Sequence, residues 1–168
     1  DRPATIARFG ARIETLRTMS DTSATTTVLK DPTVLDRVGR TPLRRLTRLQ
    51  GLKPDVEIWA KLEWTNPGGS VKDRAALSII EDAEKSGALR PGMILLDSTS
   101  GNTGIAYALI GALKGYAVEL VMPSNVSEER KRYVRDYGSA IRYTSPMEGS
   151  DGAIREARRL AAEHPDRY

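Results

Sequence analysis

Two short stretches of this 168-residue chain combine glycines with side chains that could do chemistry. The first is NPGGSVKDR, residues 66–74, in which Lys72 follows two glycines and a serine at the predicted start of a helix. The positive end of a helix dipole disfavours the ammonium form, and a neutral lysine amine can form a Schiff base with a carbonyl. The alternative is an ordinary solvated lysine. Gly68 and Gly69 favour the first interpretation because glycines allow close approach of another molecule.

The second stretch is TSGNTG, residues 99–104. Its hydroxyl and amide side chains, from Thr99, Ser100, Asn102 and Thr103, fall at the predicted start of another helix. Free backbone N–H groups and the helix dipole bind anions at such a position, so a phosphate or a carboxylate would fit. The alternative is a capped turn whose residues serve only its conformation. Neither stretch matches the P-loop or the dinucleotide-binding signature.

Composition excludes several other kinds of chemistry. The chain has no cysteine, which excludes disulfides, thiolate catalysis and zinc–thiolate sites. Its one histidine, His164, excludes a multi-histidine metal site, and we expect no metal. The net charge of +4 is mild, and acidic and basic residues are interspersed, which favours solvated helix faces over a nucleic-acid interface. No apolar run is long enough to span a membrane, and no signal peptide is evident.

Alternating strand and helix patterns position both stretches. Strands are predicted at VEIWAKLE (56–63), MILLD (93–97), AVELVMP (117–123) and AIRYT (140–144), with a helix after each of them. Ser70 and Ser127 are predicted N-caps, and Gly87, Gly115 and Gly138 are predicted helix ends. This order predicts an α/β fold with a mostly parallel sheet and helices on both faces. Because both stretches lie between a strand and a helix, we expect both at the carboxyl edge of that sheet.

The pair of stretches, about thirty residues apart, resembles the cysteine synthase and cystathionine β-synthase family of pyridoxal-phosphate enzymes. Two flanking segments are similar to that family as well: VGRTPLRRL (38–46) and LKGYAVELVMPSNVSEERKRYVRDYGSAI (113–141). The resemblance covers residues 35–168 and implies the N-terminal portion of the tryptophan synthase β fold. It also implies pyridoxal 5′-phosphate as cofactor.

The resemblance implies a role for each motif residue. Lys72 would hold the cofactor as a Schiff base and take the α-proton of the substrate. Asn102 would bind the ring oxygen of the cofactor. The substrate α-carboxylate would be held by the side chains and backbone of the second stretch, that is by Thr99, Ser100, Gly101, Asn102 and Thr103. Asn66 and Ser70 would be structural.

The sequence also departs from the family. Asp97 and Ser98 stand where many relatives have Glu-Pro before the threonine. The glycine-rich loop that cradles the cofactor phosphate, and the hydroxyl partner of the pyridine nitrogen, come later in the family and have no equivalent before Tyr168. We therefore expect residues 1–168 alone to be inactive.

The resemblance implies β-replacement on an activated serine (O-acetylserine, O-phosphoserine or serine) by a sulfur nucleophile, giving cysteine or cystathionine. The alternatives are a β-elimination or dehydratase activity and a non-catalytic domain that keeps the fold. The full-length protein is expected to be a cytoplasmic homodimer that acts on small molecules, without nucleic-acid or membrane partners. Residues 1–30 are expected to form a flexible extension, residues 31–168 the catalytic portion, and residues 117–164 a movable subdomain within it.

Overall fold

The structure is a computed structural model that describes residues 32–48 and 55–168. The predicted flexible extension, residues 1–30, lies outside the described residues. In chain order the described elements are α1 (Pro32–Leu35), β1 (Leu43–Arg45), β2 (Trp59–Lys61), a 3₁₀ turn (Glu63–Thr65), α2 (Lys72–Ser86), β3 (Ile94–Asp97), α3 (Asn102–Lys114), β4 (Ala117–Pro123), α4 (Glu128–Asp136), β5 (Ala140–Thr144) and α5 (Gly149–Glu163).

A parallel sheet with the strand order β3–β4–β5 forms the centre of the described fold. Ile94 of β3 pairs with Ala117 of β4, and Glu119 of β4 pairs with Ala140 of β5. A helix connects each of these strands to the next, as parallel pairing requires. The prediction of an α/β fold with a parallel sheet is therefore confirmed.

The first predicted strand, residues 56–63, belongs to a different sheet, and the prediction that it joins the parallel sheet is wrong. It is shortened to β2, which pairs antiparallel with β1 through Leu43–Lys61 and Arg45–Trp59. Its sequence alternates apolar and polar residues, and Trp59 and Lys61 are exposed. Alternation is typical of a strand with one solvated face, whereas the residues of β3 before Asp97 form a continuous apolar run typical of parallel strands covered on both faces.

Helices cover both faces of the parallel sheet, as predicted. Side chains of β4 alternate between the two faces, because successive residues of a strand point in opposite directions. One face packs against α2, α3 and α4, and its buried residues include Val118, Leu120 and Met122 with Ile80, Ile110 and Val134. The other face packs against α5, through Val121 with Ala153 and Leu160.

The predicted helix ends are also observed. Gly87 and Gly115 adopt the left-handed conformation directly after α2 and α3, with φ of 75° and 85°. Ser127 occupies the N-cap position of α4, although its side chain forms no capping hydrogen bond. Among residues 32–48 and 55–168, no helix is both long and apolar enough to cross a bilayer.

Candidate active site

Lys72 is the first residue of α2, and its side chain is exposed. The N-cap position is Val71, so the prediction of Ser70 as the N-cap is wrong by one residue. Ser70 still supports the helix start, because its hydroxyl accepts a hydrogen bond from the backbone N–H of Lys72 at 3.2 Å. Within the described part of the chain, no hydrogen bond or ion pair engages Lys72 Nζ. The Lys72 amine is therefore accessible to solvent.

The loop before Lys72 is a glycine turn with open space beside it. Gly69 has φ of +82°, a conformation that side chains with a Cβ rarely adopt, and its N–H donates to the Asn66 carbonyl at 2.8 Å. A Cβ built on Gly69 would meet no atom within 4 Å. The glycine is thus required by the turn, and the turn leaves room for a ligand.

Asn66 anchors this loop from beneath and is almost completely buried. Its side-chain amide donates to the carbonyl and to Oε2 of Glu63, both at 2.8 Å, and its Oδ1 accepts the Gly39 N–H at 2.8 Å. All three of these partner atoms belong to the folded scaffold. Asn66 is therefore a structural residue, as the resemblance implies.

Arg74, two residues after Lys72, forms the most extensive side-chain network of this region. Its guanidinium donates to both carboxylate oxygens of Glu63, at 2.9 and 3.0 Å. It also donates to Thr41 Oγ1 at 3.0 Å and to the Gly39 carbonyl at 2.7 Å. The hydrogen bond from Arg74 is the main reason why the pKa of Glu63 is lowered to about 2. Glu63 therefore remains ionised at any physiological pH.

Asp73 is fully buried beside the exposed lysine. Its Oδ2 accepts the Gly68 N–H at 2.5 Å, while its Oδ1 has no hydrogen-bond partner among the described residues. Burial raises the pKa of Asp73. A Cβ on Gly68 would lie 2.5 Å from Asp73 Oδ1, so the carboxylate occupies the space that any other residue at 68 would need. Asp73 therefore holds the glycine loop against the first turn of α2.

The second stretch forms the N-terminus of α3, directly after β3. Gly101 is the N-cap residue and Asn102 the first helical residue, and no side chain caps the helix. The N–H groups of Gly104 and Ile105 bond to the Gly101 carbonyl, so the N–H groups before them are the ones left for a ligand. A Cβ on Gly101 would meet nothing within 4 Å. This helix start is open and has free N–H groups of the kind that bind anions in other proteins.

The hydroxyls around this helix start are also available. Thr99 Oγ1 accepts only a long hydrogen bond, 3.5 Å, from the Gly101 N–H. In the described ranges, the hydroxyls of Ser100 and Thr103 form no hydrogen bond, and Asn102 is exposed. Every residue that the resemblance assigns to carboxylate binding therefore lies on one turn.

Asp97 and Ser98, the two unusual residues, shape the start of this turn. The Ser98 N–H donates to Asp97 Oδ1 at 2.6 Å. Tyr107 of α3 lies against the same carboxylate. The pKa of Tyr107 is raised mainly by burial and secondly by the negative charge of Asp97. Gly104 lets α3 approach the sheet, because a Cβ there would lie 3.0 Å from Leu120 Cδ1 of β4.

The two stretches are positioned by different elements of the fold. Residues 98–104 lie at the carboxyl end of β3, as predicted. Residues 65–71 follow β2, which belongs to the antiparallel pair, so the argument from a shared sheet edge does not hold for them. They are connected instead through the packing of α2 on α3, where Ala76 and Ile80 meet Ala106 and Ile110. The ligand roles of Lys72, Asn102 and the carboxylate-binding residues stay predictions.

Sequence reasoning missed the contribution of Asp73, Arg74 and Glu63. Charged residues beside a loop are usually solvated, and nothing local marks Arg74 and Glu63 as partners of residues 39–41, or Asp73 as the partner of the Gly68 N–H. A groove of about 580 Å³ was not predicted either. It lies between α2, β3 and α5, is lined mainly by apolar side chains, and has Asp97, Ser98 and Tyr107 among its polar lining residues.

The fold and the site together define a class of protein. The family described as pyridoxal-phosphate dependent enzyme matches residues 34–168, and the chain belongs to that family. The resemblance inferred from the two motifs is confirmed.

Individual relatives within this family are cysteine synthases and a cystathionine β-synthase. The chain is 52% identical over 138 residues to the cysteine synthase of Aquifex aeolicus, covering 81% of this chain and 42% of that protein. Among solved structures, the cysteine synthase of Entamoeba histolytica has a TM-score of 0.77 and 38% identity, covering 90% of this chain and 45% of that one. The O-acetylserine dependent cystathionine β-synthase of Helicobacter pylori has a TM-score of 0.74 and 36% identity, covering 80% and 44%. The chain spans less than half the length of these relatives.

Proposed function

We propose that the protein containing this chain catalyses β-replacement on an activated serine, O-acetylserine, O-phosphoserine or serine, with a sulfur nucleophile, and forms cysteine or cystathionine. The observation that carries the proposal is the contrast within residues 66–74. Asn66, Asp73 and Arg74 are held by the scaffold, whereas the Lys72 amine between them is exposed and unengaged among the described residues. Cysteine synthases and a cystathionine β-synthase among the relatives support this reaction.

Lys72 has two tasks in this proposal. Its Nζ would hold pyridoxal phosphate covalently, and the same nitrogen would take the proton from the substrate α-carbon. The bound cofactor supplies an electron sink that stabilises the resulting negative charge. The glycine turn leaves space for the ring beside Gly69, where no atom lies within 4 Å of a built Cβ.

The start of α3 orients the substrate. Its free N–H groups, including the backbone of Gly101 and Asn102, and the hydroxyls of Thr99, Ser100 and Thr103 would bind the α-carboxylate. Asn102 lies at the first helical position, where its exposed amide can donate to the ring oxygen of the cofactor. A carboxylate held here fixes one end of the substrate, so the α-proton can be presented to Lys72 in a constant direction.

Closure, assembly and location are further parts of the proposal. Residues 117–164, comprising β4, α4, β5 and α5, would move over bound substrate and exclude water. Hydrogen exchange in this segment should slow when substrate is added to the full-length protein, and unchanged exchange would contradict closure. The proposal of a cytoplasmic homodimer rests on the resemblance alone and is checked by sedimentation and by cell fractionation.

The decisive experiment compares Lys72→Ala with Lys85→Ala, an exposed lysine of the same helix, in the full-length protein. Wild type and Lys85→Ala should form cysteine from O-acetylserine and sulfide, or cystathionine from an activated serine and homocysteine. Lys72→Ala should lose about 10²–10⁴-fold in kcat or more, the usual contribution of a positioned proton-transfer group. Undiminished turnover by Lys72→Ala would refute the assignment. Pyruvate as the main product of wild type would replace β-replacement with β-elimination.

A further inference from the structure

The contacts of Arg74 join three separate segments of the chain. The guanidinium reaches Gly39 and Thr41 on one segment and Glu63 on another, while Arg74 itself belongs to the first turn of α2. The Lys61 ammonium adds a hydrogen bond to the Thr41 carbonyl, and the Thr41 hydroxyl donates to Glu63 Oε1 at 3.0 Å. Residues 39–41 and 61–63 and the start of α2 are thus tied together. We call this network the Arg74 clamp.

The backbone at the clamp is shaped for a guanidinium. Gly39 has φ of +82°, and a Cβ built there would lie 2.6 Å from Arg74 Nη1. The Gly39 carbonyl accepts from Arg74 and the Gly39 N–H donates to Asn66, so both polar groups of this residue are committed to the clamp and its neighbour. A planar fork with several donors satisfies this arrangement, whereas a lysine ammonium would act as a single point charge.

The clamp lies on the opposite side of the helix from Lys72. Successive helical residues are about 100° apart, so Lys72 and Arg74 differ by about 200° around the axis of α2. Asp73, between them, is bonded back to Gly68. Two neighbours of Lys72 are therefore fixed to the scaffold in different directions, and together they leave the first turn of α2 little freedom to rotate or unwind.

We infer that Arg74 is a positioning residue for Lys72: the clamp sets the rotation of the first turn of α2 and with it the direction of the Lys72 amine. This inference rests on the proposed function, in which that amine binds pyridoxal phosphate. If Arg74 served only stability, replacing it would lower the unfolding temperature without a separate effect on the reactivity of Lys72. The Arg74 and Glu63 side chains are 37% and 22% exposed, and ion pairs this accessible contribute little to stability. Replacing Arg74 should thus affect Lys72 more than it affects the unfolding temperature.

The test uses Arg74→Lys in the full-length protein, with Arg159→Lys as the matched control. Arg159 forms the same two-pronged contact with Glu156, at 2.8 Å for each hydrogen bond, but on α5. The first readout is the rate at which cofactor-stripped protein binds pyridoxal phosphate covalently at Lys72, followed by absorbance and by mass spectrometry after reduction. Arg74→Lys should slow this rate at least about tenfold, because a displacement of about 1 Å costs on the order of 10²-fold in reactions that depend on orientation. Arg159→Lys should match wild type.

Two further measurements test the positioning role of Arg74. Thr41→Val removes one hydroxyl of the clamp without changing charge, and it should slow attachment in the same direction if Arg74→Lys fails to fold. In Arg74→Lys, kcat should fall with little change in KM, since the substrate carboxylate site is on α3. Equal attachment rates in wild type, Arg74→Lys and Thr41→Val would overturn the positioning role alone. Absence of attachment at Lys72 in wild type would overturn the proposed function, and with it the inference.

Discussion

Replacing Gly68 with alanine tests whether the Asp73 carboxylate really fixes the loop that carries Lys72. Gly68 does not have a positive φ, so alanine is compatible with the backbone conformation there, and the effect of the substitution is steric. The added Cβ would lie 2.5 Å from Asp73 Oδ1 and 2.9 Å from Oδ2, and the carboxylate is fully buried. Either the carboxylate or the loop must move, and movement breaks the hydrogen bond from the Gly68 N–H to Asp73 Oδ2.

The cost of this substitution can be worked from its two parts. Overpacking a well-packed site costs about 1–3 kcal/mol. A hydrogen bond to a charged group contributes about 1.5–3 kcal/mol. Because one displacement causes both losses, they do not add fully, and we expect the free energy of unfolding to fall by about 2–4 kcal/mol.

Urea unfolding of the full-length protein measures this change. Gly101→Ala is the matched control, since a Cβ there meets nothing within 4 Å and φ is −108°, and its free energy of unfolding should stay within about 0.5 kcal/mol of wild type. In an Asp73→Ala background the carboxylate is absent, so Gly68→Ala should then cost less than about 1 kcal/mol. If Gly68→Ala alone costs less than about 1 kcal/mol, or costs the same in both backgrounds, the steric argument is wrong.

Three other expectations follow from the same contacts. Ser100→Ala and Thr103→Ala should each weaken amino-acid binding about tenfold to a hundredfold and leave the cofactor in place, because each removes a hydrogen bond to a carboxylate worth about 1.5–3 kcal/mol. Spectral titration with substrate measures the affinity. Unchanged affinity in both variants would remove these two residues from the site. Gly101→Ala, although neutral for stability, should weaken the same binding by filling the open space over the helix start, and full affinity would contradict that placement. The pKa of Glu63 is lowered from 4.5 to about 2, mainly by Arg74, so the contribution of ionised Glu63 to folding stability is present above pH 4.5 and is lost as pH falls through 2. Glu63→Gln should therefore flatten the decline of the unfolding temperature across that pH window. An unchanged decline would count against the Glu63–Arg74 pair.

Much of the local structure follows from the sequence alone, because it depends on local physics. The continuous apolar run of β3 indicates a strand covered on both faces, and β3 lies in the parallel sheet. Gly87 and Gly115 indicate helix ends because glycine tolerates the left-handed conformation that ends many helices. Lys72 and residues 99–104 were recognised as site candidates because each combines glycines with reactive or polar side chains at a helix start.

Which partner each segment meets was decided only by the tertiary structure. Periodicity reports how a strand is exposed, not which strand it pairs with, so residues 56–63 were assigned to the wrong sheet. The charge of a side chain indicates that its burial is costly, but it does not indicate which distant residue could pair with it. Nothing in the sequence indicates that Asp73 is fully buried or that Arg74 donates to the Gly39 carbonyl, 35 positions away. Such contacts depend on how the chain folds back on itself, and that is why the sequence marks Lys72 as a candidate but does not reveal the Arg74 clamp.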